Sequence, residues 1–218
     1  MEALAKLNVS LNEKSNREAS EKTACVFLMM IICAGLGWIA ENTVKLISSG
    51  VMDNRFHVLP FIFPYGFAFL AMQLFLGDTN DLSFFGKRIF KNKNIKTVAA
   101  SNIIYVAVVC FFVFIGELAV GNLYEIATGA SLWDYSSQPL HLTKYVCLSS
   151  ALGYGVGAYI VMKIFYYPVL NALINKGNIK AIKIVDCTLG VAVVLDSVCM
   201  IMITLITKVP PIYWTIRI

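Results

Sequence analysis

The residues of this chain whose types could do chemistry are few, and most stand at the edge of an apolar run. Glu41 and Asn42 close one such run, Asn54, Arg55 and Tyr65 follow it, and Glu117 closes another. The stretch ELAVGNLYEIATGASLWDYSSQPLHLTK, from Glu117 to Lys144, adds Trp133, Asp134, Tyr135, His141 and Lys144 and contains no Lys or Arg before its last residue. Carboxylates gathered near a guanidinium suit general acid–base work or the holding of a charged group. An ionisable group within an apolar run is costly and is as a rule paired or functional. The spacing therefore predicts a Glu41–Arg55–Glu117 cluster beneath a cap made by Trp133-Asp134-Tyr135-Ser136. The competing reading is structural. Glu41 also stands i,i+4 from Lys45, and a paired network can do no more than hold helices in register. Asp134 either bonds the amides of its own turn or aims His141 at the cluster. Asp196, deep in an apolar run with no evident partner, is a secondary candidate, while Asp186 is expected to pair with Lys163. The six cysteines all lie in apolar runs and form no C-x-x-C, so they read as small hydrophobes. Neither a metal nor a cofactor is expected.

The elements that carry these residues follow from composition. At 58% hydrophobic and 14% charged residues the chain is too apolar for a soluble domain. Stretches at about 24–47, 56–76, 97–121, 144–167 and 184–207 approach the roughly 20 residues that a spanning helix needs. The fold class expected is all-α: a polytopic transmembrane helical bundle of about five spans, with a polar tail over 1–23 and a single membrane domain over 24–218. The tail lacks the basic, apolar and small-residue pattern of a cleaved signal. Twelve basic residues fall in the tail and in the second-to-third and fourth-to-fifth connections, against four at the other ends of the spans. This asymmetry predicts an amino terminus inside and a carboxyl terminus outside. It also accounts for the net charge of +5 without nucleic acid, and it marks Lys87 to Lys96 as a segment facing anionic lipid headgroups. Pro60 and Pro64 predict an irregular start to the second span. Gly153 and Gly157 give a GxxxG spacing that favours close helix packing.

Together, Gly37-Trp38-Ile39-Ala40-Glu41, Asn54-Arg55, Pro64-Tyr65-Gly66, Glu117 with Gly121, and Trp133-Asp134-Tyr135-Ser136 carry a resemblance over residues 25–170. The chain resembles a family of bacterial polytopic membrane proteins, the ABC-transporter permeases of the CmpB type. The resemblance implies a multi-pass component of the cell (cytoplasmic) membrane with a role in transport. There are departures. The family places a glycine after Asn-Arg and a Gly-Pro further on, where this chain has Phe56 and Leu59-Pro60. It has Asn and then Gly-Arg where this chain has His141 and Thr143-Lys144. No Walker A motif occurs, so ATP-driven transport would require a separate ATPase. Two alternatives stay open beside a permease with an outward-facing polar pocket. One is an intramembrane enzyme or binding protein acting on an extracytoplasmic or lipid-linked anionic substrate. The other is a non-catalytic accessory membrane protein.

Overall fold

The computed structural model describes residues 2–92 and 94–217, with side chains from residue 15 onward. The first helix, α1 (Glu2–Ser49), is continuous. The polar stretch before residue 24 belongs to this helix. The physical reason is the lack of any Gly or Pro before Gly35.

The chain then passes through β1 (Val51–Asp53) to α2 (Phe63–Leu76), a helix of only 14 residues. At 1.5 Å per residue α2 is about 21 Å long, short of a hydrocarbon core of about 30 Å. The expected span at 56–76 is thus a short helix behind an extended lead-in. Pro64 stands in the first turn of α2, where its missing N–H is harmless. Before it, the Ile62 N–H donates to Ala34 O at 3.0 Å, back across to α1.

A hairpin of β2 (Ser83–Phe84) and β3 (Lys87–Arg88) leads to α3 (Ile95–Thr128), which opens with a capping box between Asn94 and Thr97. The strands β4 (His141–Thr143) and β5 (Val146–Cys147) fold the next connection. They lead into α4 (Leu148–Val161), one π turn (Met162–Tyr166) and α5 (Tyr167–Lys176). The π turn precedes Pro168, which lacks an N–H and cannot continue an α ladder behind it. Helix α6 (Ile179–Thr207) and β6 (Thr215–Arg217) complete the described chain. Four helical segments, Ser15–Ser49, Ile95–Thr128, Leu148–Lys176 and Ile179–Thr207, are long and apolar enough to cross a membrane. The protein is an all-α membrane bundle.

Residues Met29, Cys33, Phe69, Met72, Tyr105, Val109, Met162 and Tyr166 form the centre of the core. Strand β1 pairs antiparallel with β6, and Lys208 Nζ donates to Thr128 O at 3.2 Å. The α1–α2 connection, the α3–α4 connection and the carboxyl-terminal segment that carries β6 therefore share one end of the bundle. Lys183 Nζ meets Ser20 Oγ at 3.2 Å at the opposite end, where the β2–β3 hairpin and the α5–α6 connection also lie.

Candidate functional site

Gly37 is buried on α1, and a Cβ there would run into the ring of Tyr65 on α2. The missing side chain lets the ring lie flat on α1 and carries the Tyr65 hydroxyl to Glu41 Oε1, which accepts at 2.5 Å. Arg55 Nη2 donates to Glu41 Oε2 at 2.8 Å, and the two side chains keep only 17% and 22% of their surface exposed. Arg55 and Phe56 both have positive φ, 49° and 71°, and the His57 N–H closes the turn on Asn54 O at 3.1 Å. A turn with two left-handed residues favours glycine, so Phe56 holds a strained position where the resembling family has Gly.

The other polar residues of this connection hold backbone. Asn42 Oδ1 accepts from Asp53 N at 2.9 Å. Asn54 Nδ2 donates to His57 O and Pro211 O, both at 3.2 Å, while its Oδ1 accepts from Tyr213 N at 3.0 Å. Asp53 pairs with Lys45 and also accepts from Arg55 N at 2.9 Å. Burial pushes the Asp53 carboxyl up, but the Lys45 bond, the Arg55 amide and the Arg55 charge outweigh it and hold the group below the usual carboxylate range.

Asp196 has partners after all. Its two oxygens accept from Val58 N at 2.9 Å and Leu59 N at 3.0 Å, and His57 Nδ1 lies 3.4 Å away. Irregular backbone at membrane depth must find protein or water, and this carboxylate supplies the acceptor. Asp186 does not pair with Lys163, because Lys163 Nζ turns to the Tyr159 hydroxyl at 3.0 Å.

Glu117 belongs to a different network from the one the sequence suggests. Arg55 does not reach it. Glu117 Oε1 accepts from Ser150 Oγ at 2.7 Å and from the Tyr135 hydroxyl at 3.3 Å, and those two hydroxyls lie 3.1 Å apart. Glu117 Oε2 is buried and has no donor among the described residues, and Arg55 Nε is likewise buried without an acceptor. Burial, joined by the carboxylates of Glu117 and Glu41 and partly offset by Ser150, pushes the Tyr135 phenol well above its usual range. Tyr135 is therefore a fixed donor facing both acids. Tyr154 on α4 closes the space between the two groups, with its ring centroid 6.1 Å from that of Tyr65.

A second station repeats the first. Gly121 is buried on α3, a Cβ there would collide with the Tyr145 ring, and the Tyr145 hydroxyl donates to Glu125 Oε2. Lys144 Nζ donates to Glu125 Oε1 at 2.6 Å, and that bond holds the ammonium above its ordinary range. Lys144 is thus paired with Glu125. Trp133 Nε1 donates to Tyr145 O at 3.0 Å and braces the cap.

Of the cap residues, Tyr135 alone reaches the buried acids. Asp134 is exposed and accepts from its own turn at Ser136 N, 2.7 Å, which holds its carboxyl below the usual range. His141 is exposed, with Nδ1 2.9 Å from Gln138 O, so Asp134 does not aim it at the cluster. Sequence reasoning does not bring Ser150, Tyr154, Tyr145 or Glu125 into the cluster. The signal for the last two was there: G-x-x-x-E occurs at Gly37–Glu41 and again at Gly121–Glu125. Helix contact at 153–157 is made by the middle glycine, since a Cβ on Gly155 would strike Cys110 while Gly153 and Gly157 face open space.

A smaller polar group lies two turns down α2. The Tyr166 hydroxyl donates to Gln73 Oε1, and its ring stacks on Phe69 at 6.1 Å. Polar groups thus occur at both ends of α2, with Phe69 and Met72 between them.

A family model described as "Putative ABC-transporter type IV" matches residues 28–201. No curated protein and no solved structure matches the chain.

Proposed function

The chain belongs to that family, and from this premise we propose that it is the membrane-embedded permease component of a transport system. In this reading the end holding Glu41, Arg55 and Glu117 faces outward and handles the substrate. One observation carries the assignment: Glu117 Oε2 is buried beneath Tyr135 with no donor. A buried acceptor without a bond costs about 1–3 kcal/mol, and a substrate that brings an N–H, O–H or ammonium group recovers it. Arg55 and Lys144 are each bound to a carboxylate, that of Glu41 and that of Glu125, while Arg55 Nε is buried without an acceptor among the described residues. The site therefore suits a substrate that brings a donor to Glu117, and an acceptor on the same substrate would meet Arg55 Nε. The short α2 behind an extended lead-in, with polar groups at both ends, supports transport, since discontinuous helices line many transporter sites. The exposed Lys87 and Arg88 of the hairpin would meet anionic headgroups or a separate ATPase.

The test is thermal stabilisation of the purified protein by a panel of small amines, polyols and carboxylates. Amines or polyols should stabilise the native protein and not Glu117→Gln, which keeps the shape and loses the charge. Stabilisation by carboxylates alone would overturn the reading. Reporters fused after residue 217 should read outside and those at residue 90 inside, and the reverse would move the site to the cytoplasm. A second reading rests on Ser150 Oγ at 2.7 Å from Glu117. That is the geometry of a hydroxyl beside a base, and labelling of Ser150 by a serine-directed phosphonate would favour an enzyme.

A further inference from the structure

Between α1, the start of α2 and α6 runs a cavity of about 570 Å³, open at the side of the bundle and lined by Phe27, Phe63, Phe67, Gly190 and Val194. From Ser20 to Ala34 along α1 the groove covers about 21 Å at 1.5 Å per residue. That is the depth of one leaflet, half of the roughly 40–45 Å bilayer with its headgroups. The volume lies within the range of about 300–1,000 Å³ that holds one ligand of moderate size. Large apolar side chains stand open along it, with Phe27 48% and Phe67 49% exposed.

The groove is polar only near its basic end, and there the demand for partners is specific. Lys183 lies at the mouth, where Ser20 Oγ takes one of its three donors at 3.2 Å. Asp186 lies three residues further along α6, about 4.5 Å deeper into the membrane. Its Oδ1 is buried with no donor among the described residues. From the surface inward the groove thus presents a cation seeking an anion, an acceptor seeking a donor, and then an apolar trough for one chain.

We propose that this groove binds a single-chain phospholipid. The phosphate meets Lys183, the free hydroxyl of the glycerol donates to Asp186, and the one acyl chain fills the trough. A diacyl lipid has no free backbone hydroxyl for Asp186, and its second chain would have to leave the groove through the open side. The site is separate from the outer acids and faces the leaflet at the basic end of the bundle.

Native mass spectrometry of the full chain, titrated with palmitoyl lysophosphatidic acid, its 2-deoxy analogue and dipalmitoyl phosphatidic acid, tests this. One lysophosphatidic acid should bind. Removing the hydroxyl from the lipid, or making Asp186→Ala or Lys183→Gln, should each weaken binding about tenfold or more. A Cβ on Gly190 faces open space, so Gly190→Leu puts a side chain into the trough and should abolish binding while both polar groups remain. Asp186→Ala removes an unpaired acid, so its melting temperature should hold or rise, which shows that a loss of binding is not a loss of fold. Equal binding of the diacyl lipid, or binding unchanged in Gly190→Leu, would reduce the groove to ordinary lipid contact and overturn the proposal. A 2-deoxy analogue that binds as well as the parent would do the same for the role of Asp186.

Discussion

Glu41 and Glu125 are held alike, each four residues after a buried glycine, under a tyrosine ring, with a phenol on one oxygen and a cation on the other. Their surroundings differ. Arg55 and Glu41 keep 17% and 22% of their side-chain surface, whereas Lys144 and Glu125 keep 36% and 39%. Solvent screens the second pair and not the first, so one local design does two jobs. At Glu41 it fixes a turn against the bundle, and at Glu125 it fastens a cap. Glu117, one turn before Gly121, has the hydroxyls but no cation. Across the three acids, what sets a site candidate apart is the unmade bond and not the number of polar neighbours.

The widest separation between the two stations should come from their cations. Arg55→Ala leaves a carboxylate uncompensated and should cost about 3–5 kcal/mol, while Lys144→Ala should cost only a small fraction of that, because solvent screens an exposed pair. Chemical denaturation in detergent measures both, and equal losses would erase the distinction. In double-mutant cycles Arg55→Ala should couple to Glu41→Gln and be additive with Glu117→Gln to within about 0.5 kcal/mol.

The glycines should behave alike instead. Gly37→Ala and Gly121→Ala each drive a Cβ into a tyrosine ring, and overpacking of this kind costs about 1–3 kcal/mol. A neutral Gly121→Ala would mean that the cap gives way where α2 does not.

Acid should weaken the Glu41 side through Asp53, whose carboxyl is held below its ordinary value of 3.8, so the unfolded chain takes up its proton first. The stability Asp53 contributes is present above pH 3.8 and is lost as the pH falls through its folded value. Asp53→Asn should flatten that part of an acid titration followed by tryptophan fluorescence, and an unchanged curve would assign the acid loss elsewhere.

The smallest effect belongs to the cap. Asp134→Asn keeps the acceptor for Ser136 N, so stability should not change measurably. Ligand response should also persist, because Asp134 is exposed and faces neither acid. A stable variant that loses its ligand would bring the cap's charge back into the site.

Much of this was legible in the sequence. The apolar runs marked four helices long enough to cross a membrane and one that is too short, Glu41 and Arg55 stood where they pair, and Pro60 with Pro64 announced the irregular lead-in to α2. What escaped is of one physical kind. Asp196 bonds backbone amides 137 and 138 positions away, and main-chain donors leave no trace in residue type. Ser150 and Tyr154 sit in an apolar run, where a hydroxyl reads as packing until its acceptor is known. The split between Arg55 and Glu117 was hidden for a related reason, since a turn with two positive φ angles aims the guanidinium at α1. The direction of a side chain is set there by backbone that the residue names do not reveal.

The bonds from Asn54 to Pro211 and Tyr213 set an order in time. Translation delivers Asn54 long before its partners, so its amide must stay solvated, or be held by other factors, until more than 150 further residues have been made. Strand β1 waits equally long for β6. The turn that carries Arg55 is therefore finished among the last parts of the molecule, and a chain cut short at the end of α6 has its helices made and this turn open. An assay for the closed turn would report on the completeness of synthesis as much as on the fold.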